Sequence, residues 1–389
     1  MNAEGTLHPL RVVIAGGGVG AAEAMLALRA LAGAKVQITL LSPDAELRYR
    51  PLAINESFAA ADVRRYALDA ICRDLDVELC ADTLASVDPH THTIATGSGE
   101  QLAYDALVVG VGARAQASLA RAHPFFADHT RDRLDGLVRD VQDRLVRRVA
   151  FVVPPGNGWA LPAYELALLL SSRVRVLGVD DAELTIVTPE DVPLAIFRGA
   201  GSTAVAQLLE QAGIAVVCES YAHDYDGQTL QLAPRERAIA ADRVVALPTL
   251  AGPAIAGVPS DADGFVQVDE HGRVPGLDDV YAVGDATAFP IKQGGLATQQ
   301  ADAVAAVIAR QAGAGVAEPR TRPQLRAILL TGGAPLYLCG AVAGGDGDSR
   351  ASKHCPWWPP HKIAARHLAP YLADRDVAGP QTVSAHAHV

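Results

Sequence analysis

The residues that could do chemistry fall in three short stretches. In the first, Gly16, Gly18 and Ala21 form G-x-G-x-x-A directly after the apolar run 11–15. The first glycine of such a pattern admits a tight turn, the second lets backbone approach a pyrophosphate, and the third, small position lets helix and strand pack closely. Free N–H groups at the helix start would then face the phosphates, with Gly17, Val19 and Gly20 completing the cradle. The acid that would hold a ribose at the end of the next strand is missing. Ser42 and Pro43 stand there, with Asp44 and Glu46 just beyond, and Ser42 is the candidate partner of a ribose hydroxyl. The alternative reading is a glycine turn that binds nothing.

The second stretch, VYAVGDATAFP, puts Gly284 and Asp285 at the end of a strand. A carboxylate there can accept hydrogen bonds from a ribityl chain. IKQGGLATQQA then begins a helix at Gly295, flanked by Gly294 and Leu296. Its N-terminal N–H groups would point at whatever lies beyond the loop; if that is a flavin pyrimidine, they would stabilise the negative charge that builds on it during reduction, and Lys292 would add to this. An ordinary helix start with a surface lysine is the alternative for Lys292. The third stretch is FVVPPGNGWALPAYE, residues 151–165. It has the shape of a dinucleotide turn but not its contents: Pro154 and Pro155 supply no N–H, and the bulk of Trp159 could fill the cofactor path. Trp159 is either a wall of a pocket or a core residue, and Tyr164 is a further pocket candidate. Glu190, ending the next strand, reads equally as a ribose acid or a solvated loop acid.

These stretches sit on a pattern used twice. RVVIAGGGVGAAEAMLALRALAG then VQITLLSP, and VRRVAFVVPPGNGWALPAYELALLL then AELTIVTPED, each read strand, turn, helix, strand. Their strands are unbroken apolar runs, as expected of parallel strands buried on both faces. The chain has 389 residues, half of them hydrophobic, so two or three domains are expected. GFVQVDEHGRV predicts a hairpin turning near His271–Gly272, and the segment 131–148 a charged amphipathic connector. A net charge of −11 argues against a nucleic-acid partner. The polar start MNAEGTLHPL and the lack of a long apolar window predict a cytoplasmic protein. Cys72, Cys80, Cys218, Cys339 and Cys355 make no CxxC, and the spacing of His354, Cys355 and His361 fits no common metal site, so no metal is expected. His386 and His388 read as a frayed tail.

Together, GGGVGAAEA, YDALVVGVGAR and VYAVGDA resemble the two-dinucleotide-binding-domain flavoproteins, the pyridine nucleotide–disulfide oxidoreductase family. Within it the chain looks most similar to sulfide:quinone oxidoreductases and type II NADH dehydrogenases, through ITLLSPDAELRYRPLA, PAYELALLL, the Lys292–Gly295 segment and the tail WWPPHKIAARHLAPYL. The resemblance implies an α/β fold of two Rossmann-like domains plus a small C-terminal domain. The FAD domain would be discontinuous, 1–114 and 240–315, with a second nucleotide-binding-like domain at 115–239 and a C-terminal domain at 316–389. It also implies that Arg50, Pro51 and Gly112 belong to the FAD site. In the sulfide enzymes a redox cysteine lies just ahead of the PAYE segment. Trp159 occupies that position here, the partner position falls near Leu329, and Cys339 is ten residues further on. The resemblance therefore implies an enzyme without the sulfur relay.

The expected function is an FAD-dependent oxidoreductase that passes two electrons from NAD(P)H or another small reductant to a quinone-like or other small acceptor. A flavoprotein that has lost catalysis and serves as a redox-sensing or complex-forming module is the second reading. PWWPPHKIAARHLAPYLADR predicts a short amphipathic helix carrying Trp357, Trp358, Ile363, Leu368, Tyr371 and Leu372. It either lies on the inner face of a membrane, giving a lipophilic quinone access, or packs on the protein itself. A homodimer is left open.

Overall fold

The computed structural model describes residues 8–55, 58, 64–125, 131–156, 158–317, 322–342 and 348–377. The tail histidines His386 and His388 lie outside them. Two parallel five-stranded sheets organise the chain. The first has the order 280–282, 106–109, 10–15, 36–41, 78–80, and the second 123–124, 243–246, 148–152, 183–187, 214–217. The apolar runs are buried on both faces, as their composition requires. Val12 and Ile14 pack under the helices on one side, while Val13 and Ala15 pack on the other. Helix Val19–Ala32 lies against helix Gly294–Gln311 through Ala21, Ala24, Ala27, Ala301 and Ala305, small residues that let the backbones approach. In each unit a three-stranded antiparallel meander, at 84–103 and 221–240, is inserted between strands of the parallel sheet.

Entry to and exit from the second unit run side by side, because Arg114–Gln116 pairs antiparallel with Thr249–Ala251. This moves one expected boundary. Arg243–Ala246 pairs with Arg148–Val152 in the second sheet, so the second unit extends beyond residue 239. Near His271 the chain turns tightly, with Asp269 N bonded to Arg273 O, but the flanks form isolated bridges rather than a hairpin ladder. Helix Arg131–Gln142 is not simply a solvated connector: Leu134, Leu137, Val138 and Val141 join the second unit's core.

The C-terminal segment spans both units. Strands Gln324–Leu329, Leu336–Ala341 and Arg350–Ser352 form an antiparallel sheet whose Leu325, Ala327, Leu329 and Leu338 belong to the second unit's core. Ile363, Ala365, Leu368, Ala369 and Leu372 belong to the first unit's core. The expected amphipathic helix is shorter than the sequence pattern suggests, running only over Leu368–Val377. Pro370 sits in its first turn, has no N–H for the Arg366 carbonyl and would clash with it, so the helix does not extend backwards past that turn. Trp357 and Trp358 therefore lie on a non-helical strap. Trp357 meets Tyr337 edge-on at 5.8 Å between centroids, and Trp358 is 88% exposed. Ile363, Leu368 and Leu372 are buried in the protein's own core, so the packing reading of this stripe holds for them.

Candidate active site: a cavity at the first glycine turn

A cavity of about 390 Å³ opens where the first glycine turn, the 283–294 segment, the second unit's turn and the C-terminal strap meet. Gly17, Gly18, Val19 and Gly20 form one wall. The first-turn N–H groups of helix Val19–Ala32 have no intrahelical partner and mark this wall as a place for negative charge. Gly16 has φ +121°, and a Cβ there would meet Gly110 O at 2.2 Å, so this glycine serves the turn itself. At Gly18 a Cβ would meet nothing within 4 Å. Its missing side chain leaves room in the cavity and not in the protein.

Opposite stand Gly284, Asp285, Lys292 and Gly294. No described residue donates a hydrogen bond to the Asp285 carboxyl. Burial pushes its pKa up, while Lys292 and Arg50 act on it only through their charge. Lys292 Nζ donates to the carbonyls of Asp285 (3.3 Å) and Thr287 and stands 3.8 Å from the centroid of Phe265. Burial pulls its pKa down to about 8 against the opposing charges of Asp285 and Asp261. Arg48, Arg50, Pro51 and Gly112 also line the cavity.

Several expected residues stand elsewhere. Ser42 is fully buried and its Oγ accepts from Asp44 N at 3.2 Å, so it shapes the loop, while Asp44 and Glu46 reach the cavity in its place. Pro43 is exposed outside the cavity, and Ala21 packs in the helix–sheet core. Gly295 and Leu296 are buried at the helix start. The Leu296 N–H is taken by Gln293 Oε1 at 2.8 Å, so it is not free for a cofactor. Tyr164 is no pocket residue. It is fully buried, its hydroxyl donates to Glu190 Oε2 at 2.6 Å and accepts from Leu194 N at 2.9 Å. Glu190 also accepts from Thr188 Oγ1 (2.8 Å) and Ala195 N (2.9 Å), so it faces inward as neither a ribose acid nor a solvated one. Trp159 fulfils both readings: it lines the cavity beside Leu161 and Pro162 and meets Phe197 at 6.1 Å between centroids.

Two cavity residues escaped the sequence reading as a site. Glu165 and Lys362 form an ion pair of 2.8 Å whose side chains are 2% and 8% exposed. Leu330 N donates to the other Glu165 oxygen at 3.0 Å. Burial pushes the Glu165 pKa up and Lys362 opposes it. An acid inside the apolar run AYELALLL was the available signal, but its partner lies 197 residues away. None of the five cysteines lines this cavity, and burial pushes the thiol pKa up at every one of them.

Parallel sheets ending in a glycine turn that faces a cavity define a Rossmann-like architecture. The family described as Pyridine nucleotide-disulphide oxidoreductase matches residues 10–307, and the chain belongs to that family. It is similar in fold to the sulfide:quinone oxidoreductase of Aquifex aeolicus (TM-score 0.81, 22% identity, covering 88% of this chain and 86% of that one). NDH2 of Plasmodium falciparum in complex with NADH gives a TM-score of 0.67 at 13% identity, covering 95% and 94%. Ferredoxin Reductase for the CYP199A2 System from Rhodopseudomonas palustris gives 0.64 at 20% identity, covering 86% and 83%. In sequence, Oxidoreductase ptaL of Pestalotiopsis fici is 27% identical over 198 residues, 49% of this chain and 50% of that protein; the match spans about half of that relative's length.

Proposed function

We propose that the first unit holds FAD, that the second unit has given up nicotinamide-nucleotide binding, and that the electron donor is a different small molecule entering past Trp159. The acceptor in this reading is a quinone or another small oxidant. The observation that carries it is the exchange of Gly18 for Pro155 at matched positions of the two sheets. Ala15 pairs with Leu41 and Val152 with Val187, so Gly16, Gly17 and Gly18 correspond to Val153, Pro154 and Pro155. Two of those three positions have no N–H.

The first unit fits FAD. Gly18 opens into the cavity, and no described residue donates to the Asp285 carboxyl. When bound, the flavin supplies the acceptance and release of two electrons. The chain's own residues do the rest. N–H groups at Gly18–Gly20 bind the pyrophosphate. Asp285 accepts from polyol hydroxyls. Lys292 holds a positive charge at the cavity below about pH 8 and loses it above. The Glu165–Lys362 pair keeps the strap closed over the cavity, and Trp159, Leu161 and Pro162 exclude water from it. Without a cysteine in the cavity, this reading has no sulfur relay at the flavin.

No described helix is long and apolar enough to cross a membrane. A cytoplasmic protein is part of this proposal, with the exposed Trp358 as the point of any peripheral membrane contact.

An anaerobic titration watching the flavin band tests the donor. The expected result is ready bleaching by dithionite and none by NADH or NADPH at millimolar concentration. Fast bleaching by either nicotinamide would overturn the reading.

A further inference from the structure

A second cavity of about 390 Å³ lies at the edge of the second unit, between helix Arg131–Gln142 and the paired strands His123–Pro124 and Arg243–Ala246. Its floor is apolar: Phe125, Leu134, Leu137 and Val245 line it and are buried. Phe125 is the one described residue that also lines the cavity at Gly18, so the two spaces meet at that ring.

Gly136 sits in the wall. Helix interiors disfavour glycine, yet Gly136 stands inside helix Arg131–Gln142, and a Cβ there would meet nothing within 4 Å. Neither a turn nor a close approach of backbone requires it. The space its missing side chain leaves belongs to the cavity.

The rim is cationic. Arg121 Nη1 donates to Asp226 O at 3.4 Å, and Arg243 donates to Asp242 O at 2.9 Å and to Asp140 Oδ2 at 3.4 Å. A guanidinium carries more donors than these contacts use. Asp140 is the one acid in the lining. The Asp242 carboxyl is held by Arg148 at 2.6 Å, and the Asp226 carboxyl by Gln228 N and Thr229 N at 2.8 and 2.7 Å. Arg121 and Arg243 against Asp140 leave the rim net positive, and His123, which also lines it, can only add to that. Arg243 and Val245 stand two residues apart on one strand, so they share a face and bring the charge above the apolar floor.

We infer that this cavity is a second small-molecule site, separate from the cavity at Gly18, and that it takes a monocarboxylate with a compact apolar body. The carboxylate lies against Arg121 and Arg243, whose planar N–H forks match its two oxygens. The body fills the space beside Gly136, over Phe125 and Leu137. The volume is at the small end of the range of about 300–1,000 Å³ for ligand cavities, so the body is one ring or a branched chain of similar bulk.

Isothermal titration calorimetry of the full-length protein with benzoate tests the site. One benzoate should bind per chain with a Kd below ~1 mM. Acetate lacks the body and benzyl alcohol lacks the charge, and each should bind at least about tenfold more weakly. Gly136→Leu puts a side chain into the cavity and should abolish binding. Leucine is the better helix former and its Cβ meets no neighbour, so this variant should fold. Arg121→Gln, at an exposed position, should weaken binding by about tenfold, and it decides the matter should Gly136→Leu not fold. No heat from benzoate at several millimolar, acetate or benzyl alcohol binding as well as benzoate, or either variant binding like the wild type overturns the inference. FAD content should be the same with and without saturating benzoate; displacement of FAD would put the ligand in the first cavity and overturn the claim of a separate site. The heat of binding is read without reducing the flavin, so the result stands whichever donor reduces it.

Discussion

The two Rossmann units of this chain have the same plan and different ends. In the first, three residues, 16–18, separate strand from helix; in the second, eight do, 153–160. In the first, a Cβ on Gly18 would enter open cavity. In the second, a Cβ on Gly158 would meet Pro290 O at 1.9 Å, so that glycine lets the two units touch, while a Cβ on Gly156 would meet nothing within 4 Å. Even the loops after the second strands correspond. Ser42 Oγ accepts from Asp44 N at 3.2 Å, and Thr188 Oγ1 accepts from Glu190 N at 3.3 Å. Yet Asp44 faces the cavity while Glu190 turns in to Tyr164. The two turns therefore differ in length, in the space at their glycines and in where the acid of the following loop points.

The sharpest way to break this comparison is Gly18→Val. A branched side chain would occupy the space left for a pyrophosphate, and the purified variant should be colourless. A fully yellow variant by absorbance would remove the first unit's claim to FAD. Next in size is the buried pair that closes the cavity. Glu165→Ala or Lys362→Met should each destabilise by ~3–5 kcal/mol in urea titration, since each leaves a buried charge alone. Glu165→Leu with Lys362→Met should recover most of that loss, and a double variant as unstable as either single one would show that the pair's charge is not the issue.

Lys292 gives a smaller, pH-dependent effect. The rate of flavin reduction should change around pH 8 as Lys292 loses its proton, by about 1 kcal/mol in barrier. Lys292→Met should flatten that profile in stopped-flow traces, and a variant with the wild-type profile would place the titrating group elsewhere. Pro155→Gly restores one N–H to the second turn. It should change stability by no more than ~1 kcal/mol and confer no NADH affinity by equilibrium dialysis, because the longer turn still displaces the helix start. NADH binding by this variant would make the prolines alone responsible. Trp358→Ala is the smallest: its unfolding midpoint should move by less than ~0.5 kcal/mol, and a larger shift would reveal a partner for this exposed ring.

What the sequence made legible follows the same division. The glycine turn and the last helix start, expected at residue 295 and found at 294, were readable because backbone conformation there is dictated by neighbours in sequence. The doubled sheet was readable because parallel strands buried on both faces need unbroken apolar runs. Glu165 with Lys362 was not, because nothing local marks a partner 197 residues away. Tyr164 was misplaced for a related reason. Its position near the turn said nothing of which helix face it occupies, and that face points into the core. The C-terminal stripe looked amphipathic over its whole length, but Pro370 can stand only in a first turn and restricts the helix to its second half.

The central claim, that one unit holds a dinucleotide and its duplicate does not, is tested most directly by counting nucleotides. FAD released on denaturation and NADH retained in equilibrium dialysis would be measured per chain on the same preparation. The account predicts one FAD and no NADH at millimolar concentration. One NADH bound per chain beside the FAD would contradict it, and would mean that the second turn admits a nucleotide despite Pro154, Pro155 and the inward-facing Glu190.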